Sequence, residues 1–276
     1  MNMINQSAFN RAINLPMATF AEAPHVSRTE RFIHIPTHEI VERMESAGFV
    51  PVRASARSVR NPDKQGFQKH VIRFRRHDQT DLRVLGENVP EIALLNAHDG
   101  TSPAILWPAV FRLVCLNGMV VADSDLGKIS IAHRGNNVAD KIIEGSYTVI
   151  ERADRAIEAI GSWSQIQLTA SQSLDLADRA LSLKYIPKEG EKRADICPIE
   201  PVALLRPRRY ADTGNDLWKV FNRVQENLIK GGQSGYIRSA ERGMLIRSTR
   251  AVRSAEKDIT LNAALWGLAK EYADAA

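Results

Sequence analysis

At 276 residues, with 44% hydrophobic and 25% charged side chains, the chain can build one large domain or two modest ones around a sizeable core. Its 37 Lys and Arg against 32 Asp and Glu give a formal charge of +5, which favours an anionic partner without requiring one. Cys115 and Cys197 lie far apart and outside any Cys-x-x-Cys pair, which argues against a zinc ribbon or a redox dithiol. With no long apolar segment at the N-terminus, the expected setting is reducing and cytoplasmic, without a membrane span.

Residues 1–30 are polar, contain Pro16 and Pro24, and lack a sustained period. They read as a mobile arm, or as a segment draped over the domain, ahead of a single α+β domain over 31–276. Pro36-Thr37 opens a short helix that Thr37 is placed to cap, with Ile40, Val41 and Met44 inward and Gly48 at its end. The period then changes to two. Phe49 to Val59 reads as a strand, and Gln68 to Arg76 as a second whose Ile72 and Phe74 oppose Arg73 and Arg75. Val89 to Asn96 is a third, running into the Asp99-Gly100 turn. A return strand around 102–107 stops at Pro108. Val110 to Val121 resumes, with Asn117-Gly118 as turn chemistry, and Lys128 to His133 ends the strand-rich part, 49–134.

From 136 onward the pattern is helical. Val138 to Ile160 and Ser171 to Leu183 have apolar residues at helical spacing, the second with Leu174, Ala177 and Leu181 inward. A Pro-rich connector over 186–214 carries Arg206, Arg208 and Arg209. The helix from Asn215 has the clearest stripe: Leu217, Val220, Phe221, Val224 and Leu228. Residues 230–257 hold seven cations against Glu241 and Glu256 and read as a mobile basic flap. Asp258 then caps a last helix with Leu261, Leu265, Leu268 and Tyr272 inward. Strands followed by helices predict an α+β fold, an antiparallel sheet with helices packed on it.

His98, Asp99 and His133 are the one set of ligand or acid-base types that a sheet could bring together. The simpler reading makes His98-Asp99 a turn and His133 a strand end, so no metal or cofactor is assigned. Arg112, inside an apolar run, needs a buried partner or projects into a phosphate groove. Gly231 to Gly235 follows a helix and lacks a Gly-Lys-Ser/Thr, which rejects a P-loop. No Gly-x-Ser-x-Gly marks a serine hydrolase. Trp218, Asn222, Arg223, Gln225 and Lys230 could form a stacking platform, with core packing of Trp218 the stronger alternative.

The runs Asn96-Ala97-His98-Asp99-Gly100-Thr101-Ser102, Phe111 to Gly118, His133-Arg134-Gly135, Lys69 to Arg75 and Leu217 to Asn227 together resemble an uncharacterised plasmid- and prophage-encoded family, domain of unknown function 932. The resemblance spans nearly all of the chain after residue 30. It implies carriage on mobile elements and brings no established activity. The order of elements also resembles the core of Rad52-type single-strand annealing proteins, by fold-level analogy. The resulting expectation is a non-enzymatic protein that binds nucleic acid, single-stranded DNA above all, in plasmid or phage recombination, with homo-oligomerisation open. Lys69, Arg73, Arg75 and Arg134 would contact phosphates from the sheet, and Arg238, Arg242 and Arg247 from the flap. His98, Asp99, Arg112 and Asn117 would hold the hairpins in register. The alternatives are a metal-dependent enzyme acting on nucleic acid through His98, Asp99 and His133, and a protein-binding antagonist of host defence.

Overall fold

The structure is a computed structural model that describes residues 13–79, 88–112, 117–121, 127–134, 137–239 and 243–276, with the backbone alone at 117–120, 239 and 255. The fold is α+β, and the chain divides into two compact units, Met1–Ile157 and Glu158–Ala276. No described helix is long and apolar enough to cross a membrane.

The first unit is an antiparallel sheet. Strands β1 (Phe49–Ala56), β2 (His70–Arg76), β3 (Asn88–Asn96) and β4 (Ala104–Arg112) pair in chain order. Strands β5 (Asn117–Val120) and β6 (Ile129–Ile131) then share the outer edge of β4: β5 pairs with residues 109–112 and β6 with 104–106. Pro108 lies between these two stretches, so β4 runs through it rather than stopping there. Asn117-Gly118 is strand, not turn, opposite Arg112 and Phe111. One face of the sheet presents Ile72, Phe74, Ile92, Leu94 and Leu106. It is covered by helix α1 (Thr37–Ser46) through Ile40, Val41 and Met44, and by helix α2 (Val138–Trp163) through Ile142, Val149, Ile150 and Ala153. Each of the larger aliphatic side chains contributes roughly 1.5–3 kcal/mol by leaving water.

Where it is described, the segment before α1 drapes over the first unit. Leu15 and Ala18 are buried, and the backbone N–H groups of His25 and Ile33 donate to the carbonyls of His98 and His133. Thr37 does not cap α1. Pro36 holds the cap position without a side-chain hydrogen bond, and the Thr37 hydroxyl is used elsewhere.

The second unit packs helix α3 (Ala170–Lys184), the short α4 (Arg193–Ile196), α5 (Leu217–Lys230) and α6 (Ala255–Asp274). Its aromatic centre is Trp163, Phe221 and Trp266, with Trp218 stacked on Phe221. Trp218 is therefore core. α5 starts at an Asp216 cap, whose carboxylate accepts from the Lys219 N–H at 3.0 Å, and ends at Gly231 with φ +60°. Leu174 is exposed, and α3 turns Leu176, Ala177, Ala180 and Leu181 inward instead. α6 begins three residues before Asp258, on a Ser254 cap. Asp258 accepts from Asn262 within the helix, and Tyr272 is only half-buried. The basic stretch after α5 is a hairpin, β7 (Ser234–Ser239) and β8 (Gly243–Ser248), in regular antiparallel register.

Candidate functional site

Sequence pattern and topology converge on a buried histidine network in the first unit. The inward face of β2 ends at His70 and that of β3 at Asn96. His98 follows in the turn, His133 follows β6, and Thr37 opens α1. All five are buried. The Thr37 hydroxyl is their hub. His70 Nε2 lies 2.9 Å from Oγ1, His98 Nε2 3.0 Å, and Asn96 Nδ2 donates to it at 2.9 Å. The His34 and His70 rings lie 4.7 and 5.3 Å from that of His98.

The protons of this network can be assigned from its acceptors. His70 Nδ1 faces the Gln68 carbonyl at 3.0 Å and carries its proton. Its bare Nε2 accepts from the Thr37 hydroxyl. Thr37 then accepts from His98, whose proton sits on Nε2 and whose Nδ1 is left bare. The Ala97 N–H donates to Asn96 Oδ1 at 2.9 Å, which orients that amide. His133 faces two acceptors, Asn96 Oδ1 at 2.8 Å from Nε2 and the Ile33 carbonyl at 3.1 Å from Nδ1. A neutral ring has one proton for the two; an imidazolium satisfies both, and the Phe32 ring stacked 4.7 Å away offers it a π face. Burial outweighs these contacts and, with His34 nearby, holds the His133 pKa below its ordinary value against the opposing pull of the Ile33 carbonyl. Burial drives His70 to about 4 and His98 to about 3, the latter also through the neighbouring His70, His34 and His133. His70 and His98 are thus neutral structural groups at pH 7.

Asp99 does not join them. Its carboxylate accepts from the Thr101 N–H and hydroxyl at 3.1 and 2.5 Å and lies 3.8 Å from Lys64. The His98–Asp99–His133 set is therefore replaced by His34, His70, His98 and His133 around Thr37 and Asn96. Their bonded ring nitrogens are turned to hydroxyl, amide and carbonyl partners. Among the described residues, no group of three or more His, Cys, Asp or Glu is arranged to hold a metal ion.

The opposite sheet face corrects a second expectation. Arg73 and Arg75 point away from the helices as their alternation requires, yet both are buried. Arg73 donates to Glu91 at 3.0 Å and Arg75 at 2.7 Å, and the Arg75 guanidinium lies 4.3 Å over the Phe111 ring. They neutralise a buried carboxylate and do not form an open phosphate-binding strand. Lys69 is half-buried and has a partner of its own, Arg134 is exposed, and Arg112 is buried at the end of β4. The Asn117 side chain, Cys115 and Arg242 lie outside the described residues, so the roles assigned to them stay as expectations.

On the hairpin of the second unit the polar side chains are outward. Ser234, Tyr236, Arg238, Met244, Ile246 and Ser248 occupy alternate hairpin positions on one face, and every one is exposed. Tyr236, Met244 and Ile246 stand 61%, 63% and 66% open. Arg247 is exposed on the other face. Between β7 and residues 192–206 lies a cleft of about 970 Å³ lined by Tyr236, Arg238, Met244, Lys192, Arg206 and Val202, among others.

A family model described as a domain of unknown function, DUF932, matches residues 24–266. The chain belongs to the DUF932 family. It is 40% identical over 253 residues to each of two proteins of Escherichia coli K12, the UPF0380 proteins YafZ and YfjQ, covering 92% of this chain and 86% of each relative. No solved structure matches, and the Rad52-type likeness is not confirmed.

The family-like run from Leu217 to Asn227 also acquires a physical role. Of its buried polar residues, Arg223, Glu226 and Asn227 clasp the Pro-rich connector, while Gln225 bonds Asn262 of α6 and Asn222 the Trp218 carbonyl of its own helix. Asn227 Nδ2 donates to the carbonyls of Leu204 and Arg206 at 2.8 Å, and its Oδ1 accepts from Arg208 at 2.6 Å. Glu226 pairs with Arg209 and Lys230 at 3.0 and 2.6 Å, and Arg223 donates to the Asp212 and Gly214 carbonyls. Sequence reasoning missed this use, together with His34, His70 and Thr37 as network members. The available signal was polar residues on every face of a strongly amphipathic helix, and histidines placed on core-facing strand positions.

Proposed function

We propose that this DUF932 protein binds nucleic acid, an unpaired DNA strand in preference to duplex, through the β7–β8 hairpin of its second unit. The observation that carries this reading is the exposed hairpin face, where an aromatic ring and apolar side chains alternate with Arg238 beside Arg206 and Lys192. Among the described residues these three cations have no ion pair. Unmatched cations beside an open aromatic ring suit a phosphate backbone whose bases are free to stack. The setting that fits is cytoplasmic recombination of a plasmid or phage, where unpaired strands arise. The sheet, with Arg73 and Arg75 committed to Glu91, serves as scaffold.

Fluorescence anisotropy of labelled single-stranded and duplex DNA at two salt concentrations tests the reading. Tighter, salt-dependent binding of the single strand is the expected result. Absence of binding to either at low salt overturns it.

A further inference from the structure

The cleft beside β7 has a fixed wall and an open one. Gly235 lies so close to the Pro198 carbonyl that an added Cβ would stand 1.7 Å from its oxygen, so β7 is seated directly on residues 198 and 199. Gln233 Nε2 donates to the Ala203 carbonyl at 2.6 Å, and the Thr249 N–H donates to the Gln233 carbonyl at 2.8 Å, tying the foot of the hairpin to the same wall. Opposite this anchored base, the Tyr236 ring, Met244 and three cations with no ion pair among the described residues face open space. Of the two carboxylates in the lining, Asp195 accepts from the Lys192 N–H at 2.8 Å and Glu200 is exposed, which leaves the cations in the majority.

We propose that this cleft receives an unpaired nucleotide, with its base on Tyr236 and its phosphate between Arg206 and Arg238. The inference rests on the nucleic-acid reading above and narrows it to one place. A volume of about 970 Å³ is within the range of sites that enclose small ligands, and is sufficient for a nucleotide. No other ring stacks on Tyr236 among the described residues, so its π face is available. A paired base is sandwiched between its neighbours and cannot present its face to this ring, whereas an unpaired one can. The cleft therefore supplies what a basic surface alone does not, a physical reason to prefer the single strand.

The test uses the full chain and a thymidine oligonucleotide carrying one 2-aminopurine, whose fluorescence reports stacking, with anisotropy for affinity. The wild-type protein should change the 2-aminopurine signal on binding. Tyr236→Ala should abolish that change and weaken single-strand affinity about tenfold, while Tyr236→Trp retains both. Because the ring is exposed, thermal melting of Tyr236→Ala should match wild type, which separates lost binding from lost folding. Single-strand binding that is equally tight in Tyr236→Ala, or that leaves 2-aminopurine unaltered, overturns the cleft assignment while the nucleic-acid reading stands. Failure of the wild-type protein to bind any strand overturns both.

Discussion

The sheet of the first unit and the hairpin of the second treat polar side chains in opposite ways. In the first, histidines, arginines and a glutamate that interrupt apolar strands are buried and matched to one another: Thr37 serves His70, His98 and Asn96, and Glu91 serves Arg73 and Arg75. In the second, the hairpin leaves cations and an aromatic ring in solvent with no ion pair among the described residues. A polar residue inside a strand costs free energy unless it is matched, so matching there accounts for its presence. An exposed, unmatched set needs no such explanation from folding and is the better place to look for a partner.

The comparison breaks most visibly at Glu91. Glu91→Ala leaves two buried guanidinium groups without their carboxylate and should lower stability by about 3–5 kcal/mol in urea unfolding. Arg238→Ala on the hairpin should stay within about 0.5 kcal/mol. Equal losses would erase the distinction between the sheet and the hairpin. Acid comes next. His70 and His98 are held neutral in the fold, at about 4 and about 3, while in the unfolded chain they take up protons near their ordinary 6.5. Their contribution is therefore complete above pH 6.5 and is lost as pH falls through about 4 for His70 and about 3 for His98, on the order of several kcal/mol for the pair. Unfolding midpoints across that range should decline, and His70→Gln should flatten the decline; an unchanged slope would remove His70 from the network's account. Thr37→Val keeps the shape but removes the hub, and stranding buried donors and acceptors should cost about 1–3 kcal/mol. Gly235→Ala should act locally: proteolysis should show the hairpin cut faster, because the Pro198 carbonyl blocks its present seat.

Much of the fold was legible because it is written in periods. Alternation placed β1 to β3 within a few residues and assigned Ile72 and Phe74 to one face and Arg73 and Arg75 to the other. The 3.6-residue stripe located α2, α3 and α5. What the pattern could not carry was burial of the second face. Alternating Arg and apolar residues look the same whether the Arg face meets water or Glu91, which lies 16 residues beyond Arg75. The hairpin was hidden for a related reason. Tyr236 to Ile246 buries little, so it lacks the apolar contrast that announces a strand, and its cations read as a flap. Thr37 was assigned to a cap because Thr before an apolar stripe usually is one. Its true partners, His70 and His98, are 33 and 61 residues away.

The central claim is that the binding surface belongs to the exposed hairpin and not to the sheet. It is tested most directly by the salt dependence of single-strand affinity for the wild-type protein and for Arg206→Ala/Arg238→Ala. The double variant should bind more weakly, with a slope of log affinity against log salt shallower by roughly two, one for each phosphate contact removed. Unchanged affinity and slope in a folded double variant would contradict it.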